Sequence, residues 1–196
     1  MVDFEQGKEF FKESITGKTR LFDRCKNILL KPAQEWMAIK VENPSAERVI
    51  FGSLCVLAFL PAIGKMFGRD DFFVALLTAA TIYISMVISV IAAAWILTRM
   101  ARKLESSDDF TVLIQWIVYA WIPMFIGGCF KYIPYLSWVE IAGWIYSLYL
   151  LYTGTEVLLK TPETKRFAMV ALAVIFWAAF YALASTGVGN ILHLFR

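Results

Sequence analysis

The chain has 196 residues, of which 59% are hydrophobic and 18% charged, with a formal net charge of +3. Ordinary soluble domains stay near ~45–50% apolar even with glycine counted, so a soluble domain of this length has no interior large enough for such a fraction. The charges crowd into residues 1–48 and a few short groups beyond, which leaves long uncharged runs whose natural solvent is lipid.

The chain opens on a basic segment, residues 1–47. Leu21, Phe22, Cys25, Ile28 and Leu29 recur at helical spacing while Arg20, Arg24, Lys26 and Lys31 fill other positions, which predicts a basic amphipathic helix. Pro32 suits the first turn of a second short helix carrying Trp36, Met37 and Ile39. Asn43 and Pro44 form a further start signal, with Asn43 as cap and Pro44 at the first helical position leading into the first span. Such a segment is either an anchor on an anionic membrane surface, where each basic residue contributes on the order of 1 kcal/mol, or a docking site for a partner protein. Arg20, Arg24, Lys26, Pro32 and Trp36 are the candidate partner contacts.

Five runs in residues 48–196 are long enough to cross a bilayer: Val49–Phe67, Phe72–Leu97, Val112–Phe130, Leu136–Leu159 and Phe167–Ser185. An unpaired amide in hydrocarbon is costly, and the runs lack the alternation of a membrane barrel, so each is expected to be helical. The expected fold is all-α, a polytopic integral membrane bundle of five transmembrane helices preceded by short amphipathic N-terminal helices. With the N-terminus in the cytoplasm, the inner segments hold fifteen Lys and Arg and the outer ones only Lys65, Arg69, Lys131 and Arg196. That surplus predicts a cytoplasmic N-terminus, and an odd number of spans then places the C-terminus outside. The opening residues lack the apolar core and small-residue cleavage site of a signal peptide, so the first span is expected to serve as the insertion signal.

Within the spans the small and polar residues are informative. Thr78, Thr81, Ser85 and Ser89 fall on one face of the second span, Glu140, Gly143, Ser147 and Gly154 on one face of the fourth, and Ala171, Ala178, Ala182 and Ser185 on one face of the fifth. Small residues let helix backbones approach and hydroxyls bond across the contact, so these stripes read as packing seams, or alternatively as a polar path through the bundle. Glu140 is either an interfacial acid paired with Lys131 or a functional buried carboxylate. Glu156 is expected to pair with Lys160 at i, i+4. Pro61 and Pro123 should kink their helices near Gly64, Gly127 and Gly128, as structural bends or as broken helices around a binding site.

Enzymatic machinery is not expected. The one histidine, His193, builds neither a triad nor a multi-histidine metal site, and the three cysteines Cys25, Cys55 and Cys129 have no metal or disulfide spacing. Asp70, Asp71, Asp108 and Asp109 read as solvated loop acids. No cofactor, metal or nucleic-acid partner is expected; the partners are the lipid bilayer and a membrane protein or a second copy of the chain.

The stretch Asn27-Ile-Leu-Leu-Lys-Pro-Ala-Gln-Glu-Trp36, the first-span stretch Ala-Phe-Leu-Pro61-Ala-Ile-Gly64 and the fourth-span stretch Ile145-Tyr-Ser-Leu-Tyr-Leu-Leu-Tyr-Thr-Gly154 resemble the Yip-domain family over about Leu21 to Ser185. The resemblance implies a five-span membrane protein. Eukaryotic members bind Rab-type GTPases and prenylated partners in early secretory membranes, and carry Asp-Leu-x-Gly-Pro before the first span. This chain has Leu29-Leu30-Lys31-Pro32 there, which favours a prokaryotic-type member of a bacterial inner membrane. The function that follows is a non-enzymatic scaffold that organises the membrane or binds a partner. The alternatives are a small transporter or channel subunit using Glu140 and the hydroxyl face of the second span, and an accessory subunit of a larger membrane complex.

Overall fold

The computed structural model describes residues 21–67, 71–133 and 135–193; Arg20, Arg69 and Asp70 lie outside them. Among the described residues seven helices follow in chain order: α1 over residues 21–30, α2 Pro32–Glu42, α3 Ala46–Met66, α4 Phe72–Ala101, α5 Phe110–Phe130, α6 Trp138–Val157 and α7 Glu163–His193. No strand occurs among the described residues.

By length and composition four of these helices, α3, α4, α5 and α7, are suited to crossing a membrane. α6 has twenty residues but is less apolar, because Tyr146, Tyr149 and Tyr152 interrupt its aliphatic run and Glu140 and Glu156 lie near its two ends. The bundle is built around α5. Of its most apolar stretch 78% is buried, against 44% in α3, 33% in α4 and 17% in α7. Trp116, Trp121, Phe125, Leu113, Ile114, Ile117 and Ile122 of α5 are fully buried. α6 packs along the C-terminal half of α5, α3 packs against α4 and α5, and α7 lies along α4. Large apolar side chains such as Phe59, Ile63, Phe73, Ile88, Ile145 and Ile175 face outward, a distribution that suits a lipid solvent.

Helix ends differ from the expected ones for local reasons. Asn43 does not cap α3; it adopts a left-handed φ of 41° and terminates α2, its N–H bonding the Ile39 carbonyl. Asparagine tolerates that conformation where most residues do not. Ser45 is the actual cap of α3, its hydroxyl accepting from the Arg48 N–H at 3.4 Å. Asp71 and Asp109 are more than solvated loop acids. Asp71 accepts from the Phe73 and Val74 amides at 2.9 and 3.1 Å, and Asp109 from the Thr111 amide at 2.7 Å, so each caps a long helix at its amide end.

The two helices with an internal proline are irregular. α3 widens to π-helical geometry over Ile50–Leu54, where the Cys55 amide reaches back to the Ile50 carbonyl, and it is interrupted again at Ala58, three residues before Pro61. α5 is interrupted at Trp121, two residues before Pro123. Around these bends the backbones are very close. A Cβ added at Gly64 would lie 2.6 Å from the Cys129 carbonyl oxygen, one at Gly127 would lie 2.9 Å from the Val139 oxygen, and one at Gly143 would lie 2.5 Å from the Pro123 oxygen. The C-terminal ends of α3 and α5 and the N-terminal end of α6 therefore meet at distances that only glycine permits.

Gly143→Ala is expected to destabilise the protein by about 1–3 kcal/mol, since the methyl meets main chain that cannot swing aside. Gly187→Ala on α7 meets open space and should be neutral or stabilising by up to about 1 kcal/mol. Thermal unfolding of both variants in detergent measures the contrast; equal midpoints would contradict the close approach.

Candidate functional site

The N-terminal helices do not rest apart from the bundle. Ile28 of α1 and Trp36 and Ile39 of α2 are fully buried. The Trp36 indole N–H donates to the Thr153 hydroxyl at 3.3 Å, and its ring approaches Gly154, where an added Cβ would lie 3.0 Å from Trp36 and 2.7 Å from Trp116. Trp116 in turn donates to the Leu151 carbonyl at 2.9 Å. The Tyr146 hydroxyl donates to the Leu29 carbonyl at 2.9 Å, and the Gln115 amide donates to the Pro44 carbonyl at 2.6 Å. Arg24 forms ion pairs with Glu42 and, at 3.5 Å, with Glu35, and its guanidinium stands 4.9 Å from the centre of the Tyr119 ring. Its side chain is only 11% exposed.

Among the candidate contacts, Arg24 and Trp36 are thus occupied inside the fold. Trp36 in particular is no surface contact: its indole fills the space that Gly154 leaves, and it holds α2 to the bundle. Lys26 is exposed and Pro32 is half-buried, while Arg20 lies outside the described residues. Cys25 sits in the same packed region. Burial pushes its thiol up to about 11, with the nearby Arg24 charge and a backbone hydrogen bond pulling the other way.

The polar residues of the spans fall into distinct surroundings. On α4, Thr78, Thr81 and Ser89 return their hydroxyls to their own helix, donating to the carbonyls of Val74 at 2.7 Å, Leu77 at 2.9 Å and Met86 at 3.0 Å. They do not bond across to a neighbour as a hydroxyl seam would, because carbonyls three and four residues back are already within reach. Ser85 is buried and its hydroxyl has no partner among the described residues. On α6 the small-residue face does lie against α5. Gly143 meets Pro123, Gly154 meets Trp116, and the Ser147 hydroxyl accepts the Met124 amide at 3.1 Å. That amide loses its usual i−4 partner at the Pro123 bend, and Ser147 supplies the acceptor, a hydroxyl bonding across the helix contact. On α7 Ala178 and Ala182 are exposed, so that part of the stripe forms no seam among the described residues.

Glu140 accepts from the Lys131 ammonium at 2.7 Å, and the two side chains remain 21% and 47% exposed. This is the pairing with Lys131 that the sequence offers for Glu140. Glu156 pairs with Arg166 at 2.7 Å, not with Lys160. α6 ends at Val157 and Lys160 takes a left-handed φ of 55°, which carries it off the helical register. Nearby the α4–α5 and α6–α7 connections are joined. Ser106 and Thr161 hydroxyls lie 2.8 Å apart, the Ser107 amide donates to the Leu159 carbonyl at 3.0 Å, and Lys165 pairs with Glu105 at 2.7 Å.

These features define a multi-pass α-helical membrane protein with its N-terminal helices folded back onto the bundle. Residues 26–186 match the Yip1 domain. The chain belongs to the Yip1-domain family, and the match covers nearly the same region as the resemblance read from the three sequence stretches. Comparison with curated proteins and with solved structures finds no match.

Ser147→Ala leaves the Met124 amide unpaired in an apolar interior and should cost about 1–3 kcal/mol, whereas Ser89→Ala removes only a bond to its own helix and should cost under about 1 kcal/mol. Denaturation of the two variants in the same detergent compares them.

Cys25, with its thiol near 11 against the ordinary 9.0, should hold roughly 100-fold less thiolate at pH 8 than a free thiol and alkylate correspondingly slowly. A raised pKa favours the folded chain while the thiol stays protonated. That contribution is fully present below about pH 9 and is lost as pH rises through about 11. Mass spectrometry of a Cys55→Ala, Cys129→Ala variant exposed to iodoacetamide follows the reaction; labelling at the rate of a free thiol contradicts the burial.

Proposed function

We propose that this chain is a non-enzymatic membrane-organising scaffold of five crossings, with its N-terminus in the cytoplasm and its C-terminus outside, in a bacterial inner membrane. α6 is the fifth crossing in this reading. Twenty helical residues span about 30 Å, its acids lie near its two ends, and Ile141, Ile145 and Leu148 face outward between them.

The observation that carries the reading is how the polar side chains at depth are used. Gln115, Ser147, Thr78, Thr81 and Ser89 have partners within the chain, and Glu140 is tied to Lys131. A path for ions or polar solutes needs groups free to exchange with the permeant species. Apart from Ser85 the groups named here already have partners, within their own helix for Thr78, Thr81 and Ser89 and in another segment for Gln115, Ser147 and Glu140. Exposed Lys26 and half-buried Pro32 are the proposed contacts for a membrane-protein partner.

Proteoliposomes containing the purified chain are expected to release trapped potassium and small solutes no faster than protein-free vesicles, and Glu140→Gln should change nothing. A flux carried by the parent and lost in Glu140→Gln would overturn the scaffold reading in favour of a transporter. Cysteine-accessibility labelling at the two chain ends should find them in opposite compartments.

A further inference from the structure

An amphipathic helix lying on a membrane turns its one apolar face to lipid. In α1 and α2 that face, with Leu21, Ile28, Trp36 and Ile39, is buried in the bundle. A second set of apolar side chains points outward: Phe22 is 72% exposed, Leu30 68%, Met37 57% and Val41 87%. Phe22, Lys26 and Leu30 follow one another at intervals of four residues, as do Met37 and Val41, so each set runs along one side of its helix.

The contacts of this hairpin lie along the interior of the crossing helices. Tyr146, which holds the Leu29 carbonyl, is eleven residues from the end of α6 at Val157, about 16 Å at 1.5 Å per residue. Tyr119, which faces Arg24, is nine residues from the start of α5 at Phe110, about 13 Å by the same rise. Thr153, which faces Trp36, is four residues from Val157, about 6 Å. Half of a hydrocarbon core is only about 15 Å.

We infer that α1 and α2 are a re-entrant hairpin sunk into the inner leaflet, with Phe22, Leu30, Met37 and Val41 packed against lipid acyl chains. Its backbone meets the demand of that solvent. At the turn the Lys31 amide donates to Asn27 at 2.7 Å, at the end of α2 the Asn43 amide donates to Ile39 at 3.0 Å, and the Pro44 carbonyl accepts from Gln115. The Arg24 charge is matched by Glu35 and Glu42 within the hairpin. Lys40, in the last turn of α2, is exposed, and its flexible stem carries the ammonium group toward anionic headgroups. The residues joining α2 to α3 are only three, 43–45, which tethers the hairpin to the membrane entry of α3.

The inference rests on reading α5 and α6 as crossings, so its test includes a reference on α6. Nitroxide labels are placed singly at Leu30→Cys, Val41→Cys and Leu148→Cys in a chain lacking Cys25, Cys55 and Cys129, reconstituted in phosphatidylcholine vesicles containing phosphatidylglycerol. Phe22→Cys and Met37→Cys stand in for any variant that misfolds by circular dichroism. The labels at 30 and 41 are expected to collide with oxygen several-fold more often than with a water-soluble nickel chelate, as the label at 148 does. Nickel collisions as frequent as oxygen collisions at 30 and 41 mean that the hairpin faces water and overturn the inference. Suppression of both means that residues 1–20 or a second chain cover it, which also overturns it. If 148 reports lipid and 30 and 41 do not, the hairpin inference fails alone. If 148 also reports water, α6 is not a crossing and the five-crossing reading falls with it.

Discussion

The middle of α5 has no water within reach, and its proline removes a hydrogen bond that the surrounding helices must replace. An amide without a partner costs far more in such a setting than at a surface, where water supplies the missing bond. Ser147 accepts the Met124 amide, and it comes close enough because Gly143, one turn away on α6, lets that helix ride directly against the Pro123 carbonyl. The aromatic side chains then fill the space around the bend. Trp121 meets Trp177 edge-on at 4.7 Å, and Trp144 and Tyr181 extend the cluster at 5.1 and 5.4 Å from Trp177. α6 and α7 are thereby set in position relative to α5. α3 joins through the same kind of contact at Gly64 and Gly128.

Much of this was legible in the sequence, and what was not has identifiable physical causes. Apolar runs give helices and their approximate ends, because bilayer thickness and backbone hydrogen bonding leave few alternatives. Glycines beside prolines announce close approach without naming the partner. Gly64 meets α5, while Gly154 makes room for Trp116 and Trp36, and no one-dimensional pattern separates these uses. The side-chain alternation of α1 identifies a helix with one apolar face, yet lipid and protein interior are equally apolar and the pattern cannot say which one that face meets. Trp36 shows the same ambiguity: an aromatic on a basic segment reads as a contact for a partner, and the partner it finds is α6.

Electrostatic pairing was readable where chain geometry constrains it and obscure where helices end. Lys131 and Glu140 flank the short connection between α5 and α6, so their meeting needs no long-range information. Glu156 and Lys160 have the spacing of an ion pair only while the helix continues. The end of α6 at Val157 moves Lys160 aside and gives Glu156 to Arg166 instead. The same ending lets the 158–162 connection bond Ser107 and Ser106, which ties the two connections at that end of the bundle together.

α4 and α7 contain thirty and thirty-one residues and run beside one another on the least buried side of the bundle. Each is about 45 Å long, whereas α3 and α5, with twenty-one residues apiece, and α6, with twenty, are nearer 30 Å. The molecule is therefore taller on one flank than on the other. The apolar run of α7, residues 167–185, is no longer than those of the short helices, so its charged first turn projects beyond the hydrocarbon. The run of α4, residues 72–97, exceeds a core of about 30 Å, and beside it the lipid must stretch or the helix must lean, at a cost of fractions of a kcal/mol per Å. Longer acyl chains relieve that cost on one side alone, which gives the protein a preferred lipid neighbourhood with a direction in the plane of the membrane.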